Sequence, residues 1–134
     1  ANAIVTGQKA EQVFLKWAPM NHPEWGDPVD RTGRVGLGFD IEFPDGGLKV
    51  EVKGCKKGIE AIRMTSREWG TSEKNGDAYM LAIVSNLDTP GRERVKLFRN
   101  PFMKFDDDAS SYTTTQVTYT IPGSVLRQLP GEQS

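Results

Sequence analysis

The chain has 134 residues, enough for one hydrophobic core and too few for two ordinary domains, so residues 1–134 read as a single unit. Hydrophobic residues make up 37% and charged residues 26%, and no apolar run nears the roughly 20 residues that span a bilayer. No membrane-spanning helix is expected within these residues, and the net charge of −1 argues against a nonspecific grip on nucleic acid by the whole surface.

Ala3-Ile4-Val5 is too short for a leader's apolar core and lacks a basic flank, so no signal peptide is expected. The single Cys55 excludes an internal disulfide and fits a reducing cytoplasm. Lys56 and Lys57 beside it would lower its pKa, but no histidine lies near in sequence to serve as base.

Residues 7–18 suit an amphipathic helix, because Ala10, Val13, Phe14 and Trp17 recur at three- and four-residue spacing. Pro19 and Pro23 are expected to end it. Residues 19–34 are rich in Pro, Gly and Asp and read as a long loop facing a substrate or partner, in which Trp25 could stack on a base. His22, the only histidine, cannot build a histidine-rich metal site.

A β-hairpin follows over 38–54. Asp45-Gly46 favours a type I′ turn, whose two central residues need positive φ. Folding there sets Phe43 opposite Leu48, Ile41 opposite Val50 and Phe39 opposite Val52, six apolar residues on one face. The other face carries Asp40, Glu42, Lys49, Glu51 and Lys53. Asp40 then lies across from Glu51, with Cβ atoms roughly 4.5–5.5 Å apart. Two carboxylates that close repel unless a cation lies between them. Mg²⁺ or Mn²⁺ is the candidate: two carboxylates are a common anchor, and water and phosphate oxygens complete the shell. Such an ion polarises a phosphoryl oxygen and activates water, and the Lys53 ammonium one pleat on could orient that water or stabilise developing charge. Glu-x-Lys alone equally describes a solvent-facing strand on which Lys49 pairs Glu42 and nothing is catalysed.

After a turn at 56–58, a short third strand is expected near Ile59–Met64. Thr65 is a good N-cap for a helix over 66–74, with Glu68 at N3 completing a capping box and Asn75-Gly76 stopping it. Residues 78–85 form a nearly continuous apolar run, as in a strand buried on both faces. Trp69 and Tyr79 are expected to pack the second helix on the sheet. Asp88–Gly91 is a turn, Arg94–Phe98 a strand, Ser110–Thr120 an edge strand and Pro122–Leu129 a short helix, with 130–134 fraying. Gly33, Gly36 and Gly38 precede a strand and so make no dinucleotide fingerprint, and no Walker loop is present.

Charge is uneven. Residues 49–74 hold seven cations and four carboxylates, whereas Asp106-Asp107-Asp108 is an acidic run. Lys49, Lys56, Lys57, Arg63 and Arg67 could receive a phosphate backbone beside the hairpin, or simply be solvated.

Gly38-Phe39-Asp40-Ile41 followed by Val50-Glu51-Val52-Lys53-Gly54 resembles the "GYDI … IEVKG" pattern of the NO VEIN C-terminal-type domain, a family of the PD-(D/E)XK restriction-endonuclease-like superfamily. Further similarity lies in Gly7-Gln8-Lys9-Ala10-Glu11, Met64-Thr65-Ser66-Arg67-Glu68-Trp69, Asp77-Ala78-Tyr79-Met80-Leu81 and Arg99-Asn100-Pro101. The likeness spans about residues 7–101 and leaves 102–134 as a C-terminal extension; with Phe39 before Asp40 the literal "PD" is absent, as it often is in this superfamily.

The resemblance implies an α/β fold with an αβββαβ core, a central mixed β-sheet flanked by helices. It implies a Mg²⁺- or Mn²⁺-dependent endonuclease hydrolysing DNA phosphodiester bonds. Asp40 and Glu51 would be metal ligands, the Val52 carbonyl would complete the inner shell, Lys53 would act on water and Glu11 would be a weaker ligand. Partners implied are DNA and further domains or subunits of a restriction or phage-defence assembly, often beside a helicase or ATPase; no membrane is implied, and a homodimer is one assembly open to it. The competing expectation is a catalytically silent module that docks nucleic acid or protein.

Overall fold

A computed structural model describes residues 2–34, 36–106, 113–115 and 118–132. Helix α1 runs Asn2–Asn21, three residues past the expected boundary. Pro19 removes one N–H from the last turn, yet His22 N still donates to Ala18 O at 2.7 Å, so the ladder outlasts the proline.

The 19–34 segment is more ordered than a bare loop. It makes a 3₁₀ turn at Pro23–Trp25 and a two-residue strand β1, Val29–Asp30. Trp25 is buried rather than offered to a base; it packs on Phe14 and Phe43 and stacks on His22 with ring centroids 4.1 Å apart.

Strands β2 (Ile41–Phe43) and β3 (Leu48–Gly54) form the expected hairpin, with Ile41 opposite Val50 and Phe43 opposite Leu48. The turn differs. Four residues, 44–47, close it through Gly47 N donating to Pro44 O, and positive φ falls on Gly47 (+64°), not on Asp45 and Gly46. A glycine already stands where the loop needs left-handed backbone, so Asp45 stays in the region an L-residue prefers. Phe39 also departs from expectation. It packs in the cluster on the opposite side of the sheet from Ile41 and Phe43, because the backbone twists at Asp40.

The central sheet has the order β1-β2-β3-β5-β6, where β5 is Tyr79–Ser85 and β6 is Arg94–Arg99. Only β3 and β5 are parallel, so the sheet is mixed. β5 is buried along its whole length: Met80, Ala82 and Val84 face α1, and Tyr79, Leu81 and Ile83 face the other layer. That second layer holds α2 (Ser66–Asn75), α3 (Pro101–Asp106), α4 (Gly123–Gln128) and a three-stranded sheet. The small sheet pairs β4 (Ile62–Thr65) with β8 (Thr118–Ile121), and β8 with β7 (Thr113–Thr115). The fold is therefore mixed α/β, a central mixed sheet flanked by helices, with the helix–three strands–helix–strand order in α1, β1–β3, α2 and β5.

The strand that completes the three is β1, the first of them in the chain, taken from the expected loop. The strand expected near Ile59–Met64 is β4, and it leaves the central sheet. Residues 113–121 likewise hold two strands, of which β8 is internal to its sheet rather than an edge; 110–112 and 116–117 lie outside the described residues, as do Asp107 and Asp108. Glu132 does not fray: its N–H donates to Leu97 O at 2.7 Å and its carboxylate meets Lys104. α3 was not anticipated, although Asn100-Pro101 is a good start for it: Asn100 Oδ1 accepts from Met103 N at 3.3 Å and proline suits the first helical position. Among the described residues no helix is long and apolar enough to cross a membrane.

Candidate metal and catalytic site

Pairing of β2 with β3 stops at Asp40. Its N–H donates to Val50 O on one side, while its carbonyl accepts from Arg31 N on the other. That twist sends the carboxylate into the ladder, where Asp40 Oδ2 accepts the Val52 N–H at 3.0 Å. The N–H and C=O of a strand residue share an edge, so the Val52 carbonyl faces the same gap. Tyr79 buttresses the approach: its hydroxyl donates to Gly38 O at 2.7 Å from a fully buried position, where burial raises its pKa.

Glu51 lies one residue before Val52 on β3 and is 3% exposed. Burial pushes its carboxyl well above the usual range; the Lys53 ammonium opposes this, and the Asp40 and Glu68 carboxylates add to it. Asp40 is also raised, by burial first, although hydrogen bonds from the Val52 N–H and with Glu51 hold it back. Lys53 Nζ lies 3.2 Å from Glu51 Oε2 and 2.9 Å from Glu68 Oε1. Burial alone would lower its pKa, but Glu51 and Glu68 outweigh burial and hold the ammonium above its ordinary value.

Glu11 reaches this group from α1. The helix passes close over β3 because Gly54 has no side chain: a methyl there would lie 2.9 Å from Ala10 Cβ and 2.8 Å from Leu87 Cδ1. Burial, and next the Asp40 charge, raise the Glu11 carboxyl to about 7. Glu11, Asp40, Glu51, Val52 and Lys53 line one open cleft of about 530 Å³. Asp40 and Glu51 also border a second cleft of about 380 Å³, next to Arg67 and Glu68.

The five cations expected to meet a phosphate backbone separate. Lys56 and Arg63 line the larger cleft and Arg67 the smaller, where it donates to Gly36 O at 3.2 Å. Lys57 pairs with Asp88, and Lys49 lies over the Phe39 ring. Lys49 does not pair with Glu42, whose carboxylate is taken by Arg31 Nε and Nη2 at 3.2 and 3.1 Å. Cys55 is buried and its thiol is raised by that burial, contrary to the lowering expected from Lys56 and Lys57. His22 bonds Glu24 instead of the site.

Glu68 is the neighbour that sequence reasoning assigned only to a helix cap. It does cap α2: Thr65 Oγ1 accepts from Glu68 N, and Glu68 Oε1 accepts from Thr65 N. The same oxygen also holds Lys53, a contact across the fold that no local spacing reveals.

The residues fit a divalent cation on one ground. Burial disfavours negative charge on Glu11, Asp40 and Glu51 alike, and a cation among them would supply the missing positive charge. Among the described residues no three His, Cys, Asp or Glu side chains converge as a ready-made metal cluster. A cation here would therefore take two carboxylates and a backbone carbonyl and fill its shell with water and substrate oxygens, as Mg²⁺ commonly does.

The model of the family described as "Protein NO VEIN, C-terminal" matches residues 10–98, a stretch that contains all of these acids and Lys53. No curated protein and no solved structure gives a significant match to the chain.

Proposed function

The chain belongs to the NO VEIN C-terminal family, and we propose that it is a metal-dependent endonuclease of the PD-(D/E)XK type that hydrolyses DNA phosphodiester bonds. One observation carries the reading: Asp40 and Glu51 converge across neighbouring strands beside Lys53, on the wall of a cleft open to solvent. Asp40, Glu51 and the Val52 carbonyl would hold Mg²⁺ or Mn²⁺, with Glu11 on the same cleft wall as a weaker contact made through a bound water. When bound, the ion polarises the phosphoryl group and lowers the pKa of water. Lys53 supplies a positive charge fixed beside Glu51, suited to orienting water or to stabilising charge on phosphorus. Lys56, Arg63 and Arg67 flank the acids and would steer a phosphate backbone whose affinity comes in part from other domains or subunits, as in a restriction or phage-defence assembly.

The test is incubation with supercoiled plasmid and single-stranded DNA in Mg²⁺, Mn²⁺ or EDTA, alongside Lys53→Ala. Cleavage that needs metal and is lost in Lys53→Ala supports the nuclease. No cleavage, with no metal uptake by calorimetry, favours a docking module instead.

A further inference from the structure

Glu68 does two jobs with one oxygen. Its Oε1 accepts from Thr65 N at 3.0 Å and from Lys53 Nζ at 2.9 Å. The first bond belongs to the capping box at the start of α2. The second is unnecessary for capping, since glutamine fills the same place in such boxes with no charge. Lys53 lies 15 residues before Glu68, so no local spacing brings the two together: it sits on β3 in the central sheet, whereas Glu68 belongs to the layer packed on that sheet. Both side chains are mostly buried, 21% and 18% exposed, so their contact is made away from competing water.

We propose that Glu68 is a positioning residue for Lys53, a second carboxylate that holds its ammonium together with Glu51 so that the charge is presented at one place in the cleft. The inference rests on the nuclease reading for its consequence and on geometry for its substance. A lysine tail has several rotatable bonds and, with Glu51 as its sole partner, would be free to swing about that one carboxylate. A second carboxylate on a capped helix end removes that freedom. Because the Thr65 backbone N–H holds the Glu68 carboxylate, a bond that does not involve the Thr65 hydroxyl, the start of α2 sets where Lys53 points. Catalytic groups gain most from such support when their own rotamers are locked by neighbours.

The test separates charge from capping. Glu68→Gln keeps an acceptor for Thr65 N and removes the charge that faces Lys53; Thr65→Ala weakens the cap and keeps that charge. Positioning requires Glu68→Gln to lower kcat at least tenfold with KM within about twofold, while Thr65→Ala lowers Tm and leaves kcat within about threefold. Wild-type kcat in Glu68→Gln, or an equal kcat loss in both variants, would overturn it. A second readout needs no activity. The side-chain ¹⁵N–¹H signal of a hydrogen-bonded Lys53 ammonium should be observable in the metal-free wild type and broadened away in Glu68→Gln. If the wild type does not cut DNA, the proposed function fails, and this signal alone decides: its persistence in Glu68→Gln overturns the positioning role.

Discussion

Asp40 Oδ2 accepts the backbone N–H of Val52, so a side chain takes the place of a strand carbonyl where β2 leaves β3. The bond ties a candidate metal ligand to the strand that carries Glu51 and Lys53. It also makes the carboxyl oxygen structural, apart from any charge it bears.

Asp40→Asn and Asp40→Ala should therefore diverge. Asparagine keeps an acceptor for Val52 and relieves the repulsion that Asp40 exerts on Glu51, so the metal-free Tm should hold or rise while metal affinity falls. Alanine leaves a buried N–H without its partner and should cost about 1–3 kcal/mol. Denaturant melts in EDTA with metal titrations check both; unfolding of Asp40→Asn would refute the proposed role of this bond.

The acidic cluster sets a pH dependence whose sign is fixed. Glu11, Asp40 and Glu51 all have raised carboxyls, with Glu11 at about 7. The folded state thus binds protons more tightly than the unfolded chain. The stability that these three groups contribute is present in full below the ordinary carboxylate range and is lost as pH rises through the raised values. In EDTA, Tm should fall between pH 5 and pH 8, and Glu11→Gln should flatten the part of the fall near 7. Mg²⁺ or Mn²⁺ should restore Tm at pH 8 and do little at pH 5. A thermal-shift series over pH, with and without metal, reads this directly.

Lys53→Ala should abolish cleavage and leave the fold intact. Removing the ammonium from between Glu51 and Glu68 would normally strand buried charge, but Glu51 is already biased toward its protonated form and can take up a proton. Metal affinity should be unchanged or higher, because a competing cation is gone. Calorimetry with Mn²⁺ beside plasmid cleavage separates the two effects.

Two glycines with positive φ should respond differently to alanine. Gly38 (φ +78°) has no room: a methyl would run into the Thr71 side chain and come within 3.0 Å of the Arg67 carbonyl. Gly38→Ala should cost about 2–4 kcal/mol and displace Asp40. Gly47 (φ +64°) faces open space, so Gly47→Ala should cost only about 1–2 kcal/mol of backbone strain. Equal losses for the two in urea melts would show that the Thr71 contact does not matter. Tyr79→Phe should cost about 1–2 kcal/mol by stripping Gly38 O of its donor.

Wherever the physics is local, the sequence by itself determined the outcome. The Thr65–Glu68 box, the stop at Gly76, the doubly buried β5 and the Ile41–Val50 register all follow from spacing between near neighbours. The family pattern placed Asp40, Glu51 and Lys53 in one stretch, but the twist where β2 leaves β3, not the expected pairing of Asp40 with Glu51, turns the Asp40 carboxylate to Val52. What remained hidden depends on groups far apart in the chain. The loop containing Trp25 is ordered because Phe14 and Phe43 bury its ring, and β4 pairs with β8 more than fifty residues later. Glu11 reaches the cleft only because Gly54 lets α1 approach β3, and Glu68 meets Lys53 only because α2 packs on the sheet. Local propensity sets which segments form helices and strands; burial of the two apolar layers decides which side chains then share one desolvated space, and it is that shared space that shifts the carboxyls and holds the lysine.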